Sequence, residues 1–171
     1  MEGSRPRPFK RSAPALDAGD IFSDVPLAKW VDGRLEPGTP GRAVITSHGC
    51  ACEDYDRAVQ ARRTDAARKL TLQVAPLRSI NNQGAETLDR IRHGDQMDYF
   101  YVYGDRQVAD QILDFTREQP IPAYVLMTCN KIATLAEWQW RRLLVHLAVS
   151  RFHQPPEEIF RAEILGGPNE A

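Results

Sequence analysis

Apolar positions recur at two periods along the chain, and the two periods divide it into strand-forming and helix-forming stretches. Gly19–Leu27 alternates apolar with polar residues, which predicts a first strand with Ile21 and Val25 on one face. The breakers Asp32-Gly33, Pro37-Gly38 and Pro40-Gly41 end it, and Arg42–His48, with Val44 and Ile45 at its centre, predicts a second. Leu70–Leu77 predicts a third, with Leu70, Leu72 and Val74 inward and Pro76 near its end. Asp98–Tyr103 is dense in aromatic and β-branched residues and reads as a strand, and two more are predicted over 110–117 and 123–128, divided by Pro120 and Pro122.

Helical spacing appears in three places. Residues 53–69 put acids first and bases last, in keeping with a helix dipole, over a thin apolar stripe of Tyr55, Val59 and Ala66, so this basic helix should be largely exposed. A turn at Asn81–Gly84 precedes a short helix over 85–92. In Leu135–Phe152, Trp140, Leu143, Leu144, Leu147, Ala148 and Phe152 recur every three or four residues, opposite Arg141, Arg142 and Ser150, and Pro155-Pro156 stops the helix. Trp138 and Trp140 are expected to anchor it to the sheet. The whole predicts an α+β fold: a small barrel or strongly bent sheet, a long C-terminal helix and a peripheral basic helix.

With 171 residues the chain suits one domain over 19–165, between a flexible basic tail (1–18) and a frayed end (166–171). Its 42% hydrophobic and 26% charged residues are ordinary for a globular protein, and a net charge of -1 supplies no global field toward nucleic acid or membrane. No apolar run approaches the roughly 18 residues of a membrane span, and the N-terminus has no secretory apolar segment. Three cysteines, an odd number, argue against a disulfide framework, so a cytoplasmic location is expected.

Reactive chemistry concentrates in residues 42–52, Arg-Ala-Val-Ile-Thr-Ser-His-Gly-Cys-Ala-Cys, where His48, Cys50 and Cys52 come at alternating positions as the apolar run ends. If the second strand runs on, His48, Cys50 and Cys52 share a face. Three ligands there, with Cys129 or His93 as a fourth, would suit zinc, although the spacing is not that of a zinc knuckle. A cysteine nucleophile activated by His48, itself oriented by Asp54 or Asp56, is the second reading. The plainer expectation is that Cys50 packs at a strand end and Cys52 is incidental. Arg42, Arg57, Arg62, Arg63, Arg68, Lys69 and Arg78 form a third constellation, suited to phosphates, with Tyr99, Tyr101 or Tyr103 as stacking partners. A solvated helix face and ordinary strand packing are the alternatives for these residues.

Three segments carry a resemblance. Gly19-Asp20-Ile21-Phe22, then Gly41-Arg42-Ala43-Val44-Ile45-Thr46-Ser47 after a Gly/Pro loop, then Val74-Ala75-Pro76-Leu77-Arg78-Ser79 resemble, in that order, strands of the PemK/MazF-like superfamily of SH3-like barrels. Ser47-His48-Gly49-Cys50 and the later Ala133-Thr134-Leu135 resemble a longer branch with a Ser-His-Asp-Cys motif, Gly49 standing in place of Asp. The resemblance implies an SH3-like β-barrel and a metal-independent endoribonuclease of toxin type, needing no cofactor. It puts the catalytic arginine at Arg42, here without the following proline, and the hydroxyl at Ser79, usually threonine; His48 is an added candidate base, since histidine titrates near neutrality. Arg57, Arg62 and Arg78 are the candidate RNA-binding cations. The implied partners are single-stranded RNA, an antitoxin or other protein, and a second copy of the chain. The alternatives are a non-catalytic module binding nucleic acid or protein on the same barrel, and a small zinc protein using His48, Cys50 and Cys52.

Overall fold

The computed structural model describes residues 6–10, 13–105 and 108–152. In chain order its elements are β1 (Phe9–Lys10), β2 (Asp20–Val25), β3 (Ala28–Val31), β4 (Arg34–Pro37), β5 (Gly41–Ile45), α1 (Gly49–Gln60), α2 (Thr64–Lys69), β6 (Thr71–Ser79), α3 (Ala85–His93), β7 (Tyr99–Val102), β8 (Gln111–Asp114), β9 (Gln119–Pro122), α4 (Ala123–Leu126), β10 (Asn130–Leu135) and α5 (Glu137–Phe152). The fold is α+β with a mostly antiparallel sheet. Its residues group into two compact units, one from 13–78 and 113–134, the other from 6–10, 79–112 and 135–152.

In the first unit the strand order is β10-β2-β5-β6, with β9 also on β6, all antiparallel. The β2–β5 register slips between Phe22 and Val25, where Ser23 and Asp24 of β2 oppose the single Arg42 of β5 and Asp24 takes φ 60°. This bulge reverses the alternation, so Phe22 and Val25 enter the same apolar cluster as Ala43, Ile45, Leu72 and Val74. The sequence pattern, which paired Ile21 with Val25, had no means of counting the extra residue. Asp32-Gly33, read only as a breaker, takes φ 50° and 76° and closes the two-residue β3–β4 hairpin, a turn whose backbone twist suits the flanking strands.

Two further expectations change here. The single helix over 53–69 is two, α1 beginning at Gly49 and α2 following a break at Ala61–Arg63. The strand expected over 123–128 is instead the helix α4; Pro120 and Pro122 lie in β9, where Gln119 and Ile121 alone offer N–H groups to the ladder. Beyond it β10, which the pattern left unassigned except for Leu135, given to the C-terminal helix, pairs with β2.

The buried carboxylate of Asp20 organises this unit. It is 0% exposed, accepts hydrogen bonds from the Thr134 hydroxyl at 2.6 Å and the Asp17 N–H at 2.7 Å, and pairs with Lys131 at 2.5 Å. Lys131 Nζ also donates to the carbonyls of Ala13 and Ala15, at 2.7 and 2.5 Å. Burial raises the Asp20 pKa, against the lowering effects of Lys131, Thr134 and Asp17. The same contacts draw in the preceding segment: Leu16 and Ala18 are 4% and 6% exposed, so packed chain begins before Gly19.

In the second unit Ile91, Tyr101 and Ile112 form a buried cluster with Leu88 and Tyr99 against it. Gln139 of α5 is 0% exposed because its side chain replaces a strand neighbour: its carbonyl accepts from the Tyr103 N–H at 2.8 Å, and its amide donates to the carbonyls of Pro8 and Tyr103 at 2.7 and 3.1 Å. Gln139, Leu143, His146 and Leu147 are thus buried, while Leu144 is 37% exposed and Ala148 exposed, correcting the face expected for α5. Trp138 does reach inward, its indole N–H donating to the Arg7 carbonyl at 3.1 Å and its ring tilted on Tyr103. Part of the expected basic tail is therefore tied down, through Arg7, Pro8 and β1. The Pro155-Pro156 stop and the end expected to fray over 166–171 lie outside the described residues.

Two outcomes are expected. Lys131→Met leaves Asp20 buried without its counter-charge and should lower unfolding free energy by about 3–5 kcal/mol, with part of the loss recovered in the Asp20→Asn/Lys131→Met double variant, as urea melts will read. His146, whose pKa burial lowers despite its bond to the Met97 carbonyl, binds fewer protons folded than unfolded. Its contribution to stability is therefore complete above about pH 6.5 and lost as pH falls through the lowered value, and a His146→Gln variant should show a flatter stability–pH curve over that window.

Candidate functional site

The Thr46–Cys52 run turns out to be a strand-to-helix junction. The Thr46 hydroxyl donates to Glu118, Ser47 Oγ accepts the Gln73 N–H at 2.6 Å, and His48 Nδ1 accepts the Cys50 N–H at 3.3 Å as the N-cap of α1. Ser47 and His48 thereby satisfy backbone N–H groups, that of Gln73 on the neighbouring β6 past the end of β5 and that of Cys50 at the start of α1. Because β5 ends at Ile45, the strand-based convergence of His48, Cys50 and Cys52 does not occur. On a helix, residues two apart face away from one another. Cys50 is exposed and Cys52 is 1% exposed within the core, the reverse of the packing expected. Burial, reinforced by Asp17, Asp20 and Asp56, pushes the Cys52 thiol up to about 12, so it is neither a thiolate nucleophile nor a ready ligand. Cys129 is likewise raised by burial. Among the described residues no group of three ligands capable of holding a metal forms.

The candidate catalytic set is spread along the sheet. Arg42 is exposed near the start of β5, whereas His48 lies beyond its other end. Ser47 sits beside Gln73, and the exposed Ser79 lies six positions further along β6, roughly 20 Å at about 3.3 Å per residue. Ser79 Oγ accepts the Asn81 N–H at 3.2 Å, capping the short 3-10 turn Ile80–Asn82. His48 therefore stands apart from Arg42 and Ser79.

The candidate RNA-binding arginines differ in their commitments. Arg57 is braced on its own helix by Glu53 at 3.5 Å and Asp54 at 3.2 Å. Arg78 pairs at 2.6 Å with Oδ2 of Asp114, a carboxylate that is 0% exposed; the contact is one of charge, its N–H not aligned as a hydrogen bond, while Thr116 donates to Oδ1 from its N–H and hydroxyl. Arg62, by contrast, has no carboxylate partner among the described residues. Neither does Arg68.

Arg62 and Arg68 flank a groove of about 340 Å³ whose walls include Val59, Thr64 and Tyr124, over Tyr55 and Ala67. Val59 and Tyr124 are 50% and 46% exposed. The path of the chain between α1 and α2 makes the groove. Arg62 takes φ 53° just past the end of α1, its N–H bonded to the Val59 carbonyl at 3.0 Å and that of Arg63 to the Ala58 carbonyl at 2.9 Å. That is a Schellman ending with arginine where glycine is usual. Tyr124 was missed because its segment read as a strand; only the packing of α4 on α2 brings it to the basic helices. Tyr99, Tyr101 and Tyr103 are no stacking platform: Tyr101 is 1% exposed and bonded to Arg92 and Asp110, and Tyr103 packs on Tyr101 and Trp138.

No protein-family model and no curated protein sequence matches the chain significantly. Among the described residues no helix is long and apolar enough to cross a membrane.

Three substitutions separate these roles by their effect on urea-induced unfolding. Arg62→Gly relieves the left-handed backbone and should stabilise by up to about 1 kcal/mol. Arg57→Ala should stay within about 0.5 kcal/mol of the parent, as exposed pairs do. Arg78→Met should cost about 2 kcal/mol, less than a fully buried pair, since the Arg78 side chain is itself 36% exposed.

Proposed function

We propose that the protein is a single-stranded RNA-binding module whose contact surface is the Arg62–Arg68–Tyr124 groove, carried on a PemK/MazF-like, SH3-like sheet. The observation that carries this reading is the conjunction, in one concavity, of two arginines without carboxylate partners and an exposed tyrosine. A guanidinium not already neutralised is available to a phosphate, and an exposed ring offers a base a stacking face worth about 1–3 kcal/mol. With a net charge of -1, binding has to come from such a local patch and not from the field of the whole chain. The bulges in β2 and β10, which bend the sheet, support the SH3-like reading of its curvature.

Binding is favoured over cleavage by the separation of His48, the candidate base, from Arg42 at the opposite end of β5. An in-line attack of a 2′-hydroxyl on phosphate needs its proton acceptor and its charge-stabilising cation within reach of one phosphate. The structural tasks already given to His48 and Ser79, as caps, point the same way.

Fluorescence anisotropy with a labelled single-stranded RNA 12-mer, in EDTA and at several salt concentrations, tests the proposal. Saturable binding that weakens with salt is expected, with the RNA intact afterwards on a denaturing gel. Arg68→Ala should lower the slope of log K against log salt by about 0.7, and Tyr124→Ala should weaken binding roughly tenfold with the slope unchanged. Arg62→Gly should bind more weakly while melting higher. Cleaved RNA would favour the endoribonuclease reading, and affinity indifferent to all three substitutions would remove the groove from consideration.

A further inference from the structure

The second unit holds a pocket of about 230 Å³ formed by α3, the turn that follows it, β7 and α5. Its apolar surface comes from Ile91, Met97, Phe100, Val145 and Val149. Its ionisable lining residues are Arg92, His93, Arg142 and His146, with no acid among them. The four are not equivalent. Arg92 is committed inward: it donates to the Tyr101 hydroxyl at 2.9 Å and lies 4.7 Å over the same ring. His93 bonds on its own helix to the Asp89 carbonyl, at 2.8 Å. His146 is buried, bonds to the Met97 carbonyl at 2.9 Å and packs edge-on against Phe100.

Arg142 is different. Its guanidinium is held in place by ring faces, 5.3 Å over Tyr103 and 5.9 Å over Phe100, and by one donation to the Arg92 carbonyl at 3.2 Å. No carboxylate pairs with it among the described residues. A guanidinium has five N–H donors in a rigid fork that matches a carboxylate in two parallel bonds, so a fixed and unneutralised one beside an apolar pocket is a ready carboxylate receptor. Met97, 42% exposed at the pocket, supplies a soft wall that adapts to an alkyl chain. The volume is below that of pockets for drug-sized ligands, which suits a short alkyl chain.

We propose that this pocket binds a small amphipathic carboxylate, its head on Arg142 and its short apolar tail against Phe100, Met97, Val145 and Val149. The lining decides the sign of the head group. An alkylammonium would place its charge beside the Arg92 and Arg142 guanidiniums, the acids near the histidines, Asp89 and Asp98, not being part of the lining, and an alcohol would leave the Arg142 fork unmatched.

The test is a methyl-region NMR titration of the full chain with octanoate, 1-octanol and octylamine, each kept below micellar concentrations. Octanoate should give saturable shifts at Ile91, Met97, Val145 and Val149, at least tenfold tighter than 1-octanol, and octylamine should give none. Arg142→Gln should bring octanoate down to the affinity of the alcohol. Val149→Trp, which fills the pocket, should abolish binding of both while methyl signals of Leu72, Val74 and Leu126 keep their positions. Equal affinity for octanoate and octanol in the parent, octanoate binding unchanged in Arg142→Gln or Val149→Trp, or the absence of saturable shifts would overturn the proposal. Arg68→Ala should leave this titration unchanged, so that its outcome is read separately from RNA binding.

Discussion

Much of the first unit depends on keeping one carboxylate ionised in a dry place. Asp20 has no exposed surface, and burial alone would drive it neutral. It is held by the Lys131 ammonium and the Thr134 hydroxyl, both on β10 far along the chain, and by the nearby Asp17 N–H. Satisfying that charge requires β10 to lie against β2 in one register and residues 13–17 to fold back onto Lys131. A buried ion pair of this kind contributes less through its own energy than through the arrangements it rules out, because any register that separates its members strands a charge in the core.

The Thr46–Cys52 junction shows how the same residue types serve either chemistry or architecture, depending on where one strand stops. Were β5 to continue, a histidine and two thiols would converge. It ends at Ile45, and Ser47 and His48 become acceptors for backbone N–H groups instead. Helical geometry then sends Cys50 outward and Cys52 inward. The cations sort by a similar criterion. Arg57 and Arg78 have carboxylates beside them, whereas Arg62, Arg68 and Arg142, which have none among the described residues, sit at concave surfaces. Both proposed ligands are anions for that reason.

The two units handle polar burial differently. Asp20 needs a counter-charge, whereas Gln139 is accommodated by three neutral hydrogen bonds to backbone groups of Tyr103 and Pro8. An amide matches the backbone in both donor and acceptor, so it can fill a core position without an ion pair. Arg62 represents a third accommodation. It holds a left-handed backbone that glycine would adopt at less cost, and the guanidinium it gains stands at the rim of the groove.

The local pattern by itself determined the strand cores around Ile21, Val44, Val74 and Tyr101, the helices beginning near Ala85 and Glu137, and the exposure of the basic helices, because periodicity and charge order act over a few residues. It could not count the extra residue at the β2 bulge, place the end of β5, turn 123–126 into a helix, or bury Gln139. Each of those is decided by a partner far along the chain: β5 opposite Phe22 and Val25, Gln73 opposite Ser47, Leu70 receiving the Ala123 N–H, and Tyr103 facing Gln139. The chemistry followed the tertiary structure for the same reason. Whether a cysteine is a thiolate, a histidine a base or an arginine a receptor depends on the dielectric and the counter-charges around it, and those are set by residues that only folding brings near.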